Sequence, residues 1–158
     1  MSEAPFVVLQ QEQDYVFSLH FGADKPLWNA DEDPPLGTGR GPTPVQLLLA
    51  AVGNCLSDAL LFALRKFKQT PEPIQTRTWA DMGRNSQGRM RVLALHVTLK
   101  LGVPAAQLQH LDRVLDQFED FCTVGASVAQ GIPLHITVLD ALEQRLKPSP
   151  AAPLVAPH

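Results

Sequence analysis

The hydrophobic pattern of the chain is dominated by one segment. From Val45 to Phe67 apolar residues occupy nearly the whole circumference of a helix, which predicts a helix buried on all sides. Its start is fully punctuated: Thr43 suits the N-cap, Pro44 the first helical position, and Gln46 completes a capping box. Arg65, Lys66 and Lys68 suit the C-terminal end of the helix dipole, and Thr70-Pro71-Glu72-Pro73 stops it. Elsewhere the period is two. Residues 6–11 and 14–22 read as strands, the second with Tyr15, Phe17, Leu19 and Phe21 on one face and Val16, Ser18 and His20 on the other. Residues 74–83 and 90–101 read as a hairpin around Asn85-Ser86-Gln87-Gly88, with Leu93, Leu95, Val97, Leu99 and Leu101 sharing a face. After Pro104 the helical spacing returns in Leu108, Leu111, Leu115 and Phe118, and Cys122 continues that stripe. A short helix over 123–130 ends at Gly131, and Pro133 to Leu139 is a last strand. The order predicts an α+β domain over residues 1–140, antiparallel strands wrapped around a long buried central helix. Residues 141–158, ending in KPSPAAPLVAPH, read as a disordered Pro- and Ala-rich tail.

Composition narrows the function classes. The chain has 158 residues, 13 Lys and Arg against 16 Asp and Glu, and no basic run, so it is not expected to bind nucleic acid. The N-terminus lacks the features of a secretory signal, and the longest uninterrupted apolar run, around Leu47 to Val52, is far short of a bilayer span. The expectation is a cytoplasmic protein without a membrane segment. Two cysteines in a reducing compartment point to reduced, catalytic or transiently bonded thiols before a permanent staple.

Those cysteines are the first candidates for chemistry. Cys55 lies deep in the long helix, and an inert core thiol is one reading of it. Against that, Gly53 and Asn54 are poor helix formers, and Ser57 and Asp58 are polar where the pattern is otherwise apolar, so something polar should meet the helix there. Cys122 lies where one helix ends and the next begins. Unpaired N–H groups there would stabilise its thiolate, or Thr123 is the cap and Cys122 merely packs. Local physics favours Cys122 as the more acidic thiol. The Gly- and Pro-rich stretch Ala23 to Pro44 is long for a structureless connection, which marks it as functional. Its Arg40, in GTGRGP, is either a solvated loop residue or a guanidinium that meets a thiolate or peroxide oxygen. Trp28 in the same loop could line a cavity, and Trp79 reads as a core or interface aromatic. The five histidines show no ligand spacing relative to the cysteines, so no metal site is expected.

Three segments carry a family resemblance. ADEDPPLGTGRGPTPVQLLLAAVGNC, LQHLDRVLDQFEDFC and CTVGASVAQGIPLHITV together resemble the osmotically inducible protein C and organic hydroperoxide resistance (OsmC/Ohr) superfamily, from about Leu27 to Asp140. The resemblance implies an intertwined homodimer with active sites at the subunit interface. It implies a thiol peroxidase in which Cys55 attacks an organic hydroperoxide, Cys122 closes a disulfide, and an external dithiol or lipoyl-type reductant reopens it, with no cofactor. Arg40 takes the role of the active-site cation, and Gln46 and Trp28 are candidate substrate contacts. Two departures bear on this. The first helical turn, Pro44-Val45-Gln46-Leu47, lacks the carboxylate that pairs with the loop arginine in many peroxidase members, and Thr123 follows Cys122 where Pro is common. The chain therefore resembles the OsmC-like branch. The competing readings are a ligand-binding dimer with weak or no peroxidase activity and a cysteine-dependent hydrolase or transferase.

Overall fold

The computed structural model describes residues 4–147. The chain divides into two compact units, Met1–Leu48 and Leu49–His158. In the N-terminal unit β1 (Val8–Gln13), β2 (Val16–His20) and β3 (Trp28–Ala30) form a three-stranded antiparallel sheet in that order. β3 falls in the long stretch Ala23 to Pro44 that reads mainly as loop. The clean alternation expected in β2 does not hold. Leu19 is buried and Phe17 half-buried, but Tyr15 is exposed, while Val16 and Ser18 on the opposite face are buried. As the middle strand β2 is paired along both edges, and the buried Ser18 is accommodated by its hydroxyl donating to Glu12 Oε1 at 2.7 Å.

Helix α1 (Pro44–Lys66) begins as its sequence dictates. The Thr43 N–H donates to Gln46 Oε1 at 2.8 Å and the Gln46 N–H to Thr43 Oγ1 at 3.3 Å, a complete capping box. Burial, however, is one-sided. Val52, Gly53, Leu56, Ala59, Leu60, Ala63 and Leu64 are buried, whereas Ala51, Asn54, Asp58 and Phe62 are exposed, Phe62 at 52%. The single chain offers α1 a partner sheet on one side, so the expected all-round burial is only half met. By length and composition α1 could also cross a membrane, a property that counting uninterrupted apolar runs had missed. Its buried stripe marks it instead as the core helix of a folded unit.

The C-terminal unit holds a mixed sheet in the order β4 (Gln75–Arg84), β5 (Met90–Lys100), β6 (Leu134–Leu139), β7 (Arg145–Lys147). β4 and β5 form the expected hairpin. Leu95, Val97, Leu99 and Leu101 are fully buried, but Leu93 leaves their face and is 49% exposed. The register shifts between Asp81 and Met82, which pair with Ala94 and Val92, so Leu93 is the unpaired extra residue of a bulge. β5 and β6 pair in parallel, Leu95 beside Leu134 through Lys100 beside Leu139, where the sequence suggested antiparallel strands. Parallel pairing requires a crossover, and here it carries α2 (Leu111–Gln117), a 3-10 turn Phe118–Phe121 and α3 (Thr123–Val128). β7 lies in what reads as tail. The Asp140 carboxylate orders the approach to it by accepting the N–H groups of Ala105, Leu142 and Gln144, each at 2.9 Å. The rest of the expected tail, 148–158, lies outside the described residues.

Gly53 sets how closely α1 approaches the sheet. A Cβ there would lie 2.6 Å from Thr78 Cγ2, so only glycine permits this approach to β4. One turn on, the Ser57 hydroxyl is 2.6 Å from the Thr76 hydroxyl and also donates to the Gly53 carbonyl at 2.7 Å. Of the polar interruption, Ser57 thus meets a strand threonine, whereas the exposed Asn54 and Asp58 bond to each other, Asn54 Nδ2 donating to Asp58 Oδ2 at 3.1 Å.

Candidate active site: two thiols at the start of α3

The crossover positions Cys122. The buried stripe Val114, Leu115 and Phe118 fixes the segment on the core, and Cys122 follows as the N-cap of α3, with 1% of its surface exposed. Its Sγ accepts the Gly125 N–H at 3.2 Å, the place a Ser or Asp oxygen would take. Thr123 is therefore not the cap. Glycine is required at position 125 because a Cβ would lie 2.8 Å from the Cys122 sulfur. The neighbouring Val124 N–H points elsewhere, to the Sγ of the half-buried Cys55 on α1 at 3.5 Å. Two first-turn N–H groups that a helix leaves unsatisfied thus end on two sulfurs. Both thiols are free, and Cys55 is near enough to bear on the acidity of Cys122.

Acidity departs from the local expectation. The Cys122 thiol is pushed up to about 11, first by burial and then by the neighbouring Cys55 thiol, and the Gly125 N–H only partly offsets this. Desolvation outweighs helix capping, so the cap position does not make the Cys122 thiol acidic. It stays protonated at neutral pH.

The remaining candidates belong to the N-terminal unit. Arg40 is exposed and borders a cavity of about 370 Å³ whose walls also include Tyr15, Leu36 and Thr38. Its place is fixed by Asp31, which sequence reasoning passed over. The buried Asp31 carboxylate accepts the N–H groups of Glu32 at 2.7 Å, Thr38 at 3.0 Å and Arg40 at 3.0 Å, and the Thr38 hydroxyl at 2.6 Å. These donors, led by the Thr38 hydroxyl, hold the carboxyl down at about 2. The run Asp31-Glu32-Asp33 offers three carboxylates, and nothing in it distinguishes the one that turns inward. Trp28 opens β3, is 51% exposed, and packs edge-to-face on Phe21 at 5.3 Å. The Gln46 side chain is engaged in the capping box.

On the outer face of the C-terminal sheet Trp79 stacks on the buried His96 at 5.0 Å, and His96 on His135 at 4.9 Å. Asp81 Oδ2 lies 2.8 Å from His96 Nε2. Register places His96 in a middle strand, between two rings. Among the described residues no three His, Cys, Asp or Glu side chains gather as a metal site would require.

A reduced thiol on a long helix, facing a second thiol that caps a crossover helix beside a mixed sheet, defines a two-thiol α+β protein. The family model described as "OsmC-like protein" matches residues 37–137, a span that includes both cysteines, Arg40 and Gln46, and the chain belongs to that family. Solved structures agree in fold. An OsmC-like protein of unknown function from Vibrio cholerae superposes with a TM-score of 0.72 at 17% identity, covering 88% of this chain and 100% of its own. An OsmC-like protein from Mycoplasma pneumoniae gives 0.68 at 14% identity, with 87% and 99% covered. An organic hydroperoxide resistance protein from Elizabethkingia anophelis gives 0.66 at 11% identity, with 87% and 98% covered. At these identities the likeness is one of fold. No curated protein matches the sequence.

Proposed function

We propose that this protein is a thiol peroxidase that reduces organic hydroperoxides to alcohols. The observation that carries the reading is the meeting of Cys55 and Cys122 at the start of α3, each with its own N–H donor. In the first step the Cys55 thiolate attacks the distal peroxide oxygen. The O–O bond breaks, the sulfur becomes a sulfenic acid, and the alkoxide leaves with a proton as the alcohol. The more exposed Cys55, with the Val124 N–H beside it to solvate charge, suits this role better than the protonated, buried Cys122. Cys122 then attacks the sulfenic sulfur, water departs, and a disulfide forms between two sulfurs held by neighbouring N–H groups of one helix turn. An external dithiol reduces that disulfide. Solved proteins of the same fold that carry the name organic hydroperoxide resistance support the substrate class.

Arg40 as the cation at the peroxide rests on its loop position, and Arg40→Met tests it. A homodimer fits the apolar surface left on α1, where Phe62 packs edge-to-face on the exposed Phe121 at 5.2 Å. A cytosolic setting fits two free thiols. A second reading, a binding protein with inert thiols, draws on the absence of an acidic residue in the first turn of α1. Consumption of cumene hydroperoxide with a dithiol reductant separates the two. Activity in the wild type that is lost in Cys55→Ser supports the peroxidase, and no consumption above background by the wild type refutes it.

A further inference from the structure

The crossover, with α1 and β6, also lines an open cavity of about 360 Å³ beside the second thiol. Cys122 is on its wall with Leu56, Ala126, Ala129 and Ile136, and Glu119 and Asp120 supply its carboxylates. Cys55 is not on that wall. Glu119 is already paired with Lys147 Nζ at 2.6 Å, so among the described residues the exposed Asp120 is the carboxylate of this wall without an ion-pair partner. A largely apolar chamber with one cysteine of a redox pair in its wall, and an anion beside it, suits a small uncharged or cationic thiol.

Resting on the peroxidase reading, we infer that this cavity admits the thiol reductant and that the reductant attacks Cys122 first. The incoming thiolate bonds to the Cys122 sulfur, the Cys55–Cys122 bond breaks, and its electron pair leaves on Cys55. A second reductant thiolate then attacks the reductant sulfur of the mixed disulfide. It yields oxidised reductant and a Cys122 thiolate, which takes a proton from water. Exposure alone would favour attack on the half-buried Cys55. That route would expel a thiolate at Cys122, where burial disfavours charge. Attack at Cys122 expels it at Cys55, which is more exposed and accepts the Val124 N–H. Exchange is faster when the better-stabilised thiolate leaves, so the leaving group decides the direction.

The test begins from a disulfide made with diamide, which needs no peroxide, so it stands apart from the peroxidase assay. The oxidised protein is treated with β-mercaptoethanol in the presence of iodoacetamide and mapped by peptide mass spectrometry. The expected product carries mercaptoethanol on Cys122 and the alkyl group on Cys55. The reverse pattern, or failure of diamide to form the disulfide at all, overturns the proposal. Ala126→Phe fills the cavity from the exposed side of α3. It is expected to slow disulfide reduction at least about tenfold while the oxidation of Cys55 by cumene hydroperoxide keeps its rate. An unchanged reduction rate in a folded Ala126→Phe protein overturns the entry route, and the mapping on the wild type stands even where that variant fails to fold.

Discussion

Replacing Cys122 by Ser keeps an N-cap oxygen where the sulfur was, whereas Ala removes the cap as well. Both variants lose the second thiol, but they should differ in stability. Cys122→Ala is expected to lose about 1 kcal/mol relative to Cys122→Ser in urea denaturation, the usual worth of a capping group. Equal midpoints would mean that the Gly125 N–H contact contributes nothing. The raised pKa gives a second readout. A thiol whose folded value lies above its ordinary 9.0 stabilises the fold fully below 9.0 and loses that contribution as pH rises through about 11. Wild type should therefore lose stability over that alkaline interval, and Cys122→Ser should lack this component. Native alkylation at neutral pH should modify Cys55 first, since Cys122 is both buried and protonated.

At the scale of elements, Gly53 weighs helix propensity against contact. Gly53→Ala gains up to about 1 kcal/mol of helix propensity but overpacks against Thr78 at a cost of about 1–3 kcal/mol. Net destabilisation is expected. Adding Thr78→Ser removes the opposing methyl and should restore stability to or above that of the single Thr78→Ser variant. If Gly53→Ala alone is stabilising in thermal denaturation, β4 yields more readily than its packing suggests. The elements also divide by how legible they were. The α1 start, the β4–β5 hairpin and α3 follow from residues within a few positions of each other: a capping box, a turn, a helical stripe. What escaped was set at longer range. The parallel pairing of β5 with β6, the Leu93 bulge and the strand after Asp140 depend on neighbours that periodicity does not encode. The same division runs through the site. The pairing of Cys55 with Cys122 came from resemblance rather than from local pattern, and the acidity of Cys122 was misjudged because burial is not visible in a cap sequence.

For the whole molecule, two buried carboxylates act as loop anchors, Asp31 in the N-terminal unit and Asp140 in the C-terminal one. Hydrogen-bond donors hold both below their ordinary value of 3.8, chiefly the Thr38 hydroxyl for Asp31 and the Ala105 N–H for Asp140. A depressed carboxylate stabilises the fold fully above its unfolded value and loses that contribution as pH falls through the folded one. Stability measured between about pH 5 and pH 2 should fall most steeply at the acidic end. Asp31→Asn and Asp140→Asn should each flatten that fall while lowering stability at neutral pH. A neutral-pH stability unchanged by either substitution would show that the anchors hold loops already fixed by other contacts.

The parallel pairing of β5 and β6 also bears on the order of events in time. The β4–β5 hairpin closes over a short turn, but β6 can dock only after the whole crossover has folded back across the sheet, a step that must first overcome loop-closure entropy. Cys122 travels with that crossover. During synthesis the Cys55 helix emerges before the segment that brings its partner thiol. A newly made chain thus passes through an interval in which the first sulfur is present and the second has not arrived.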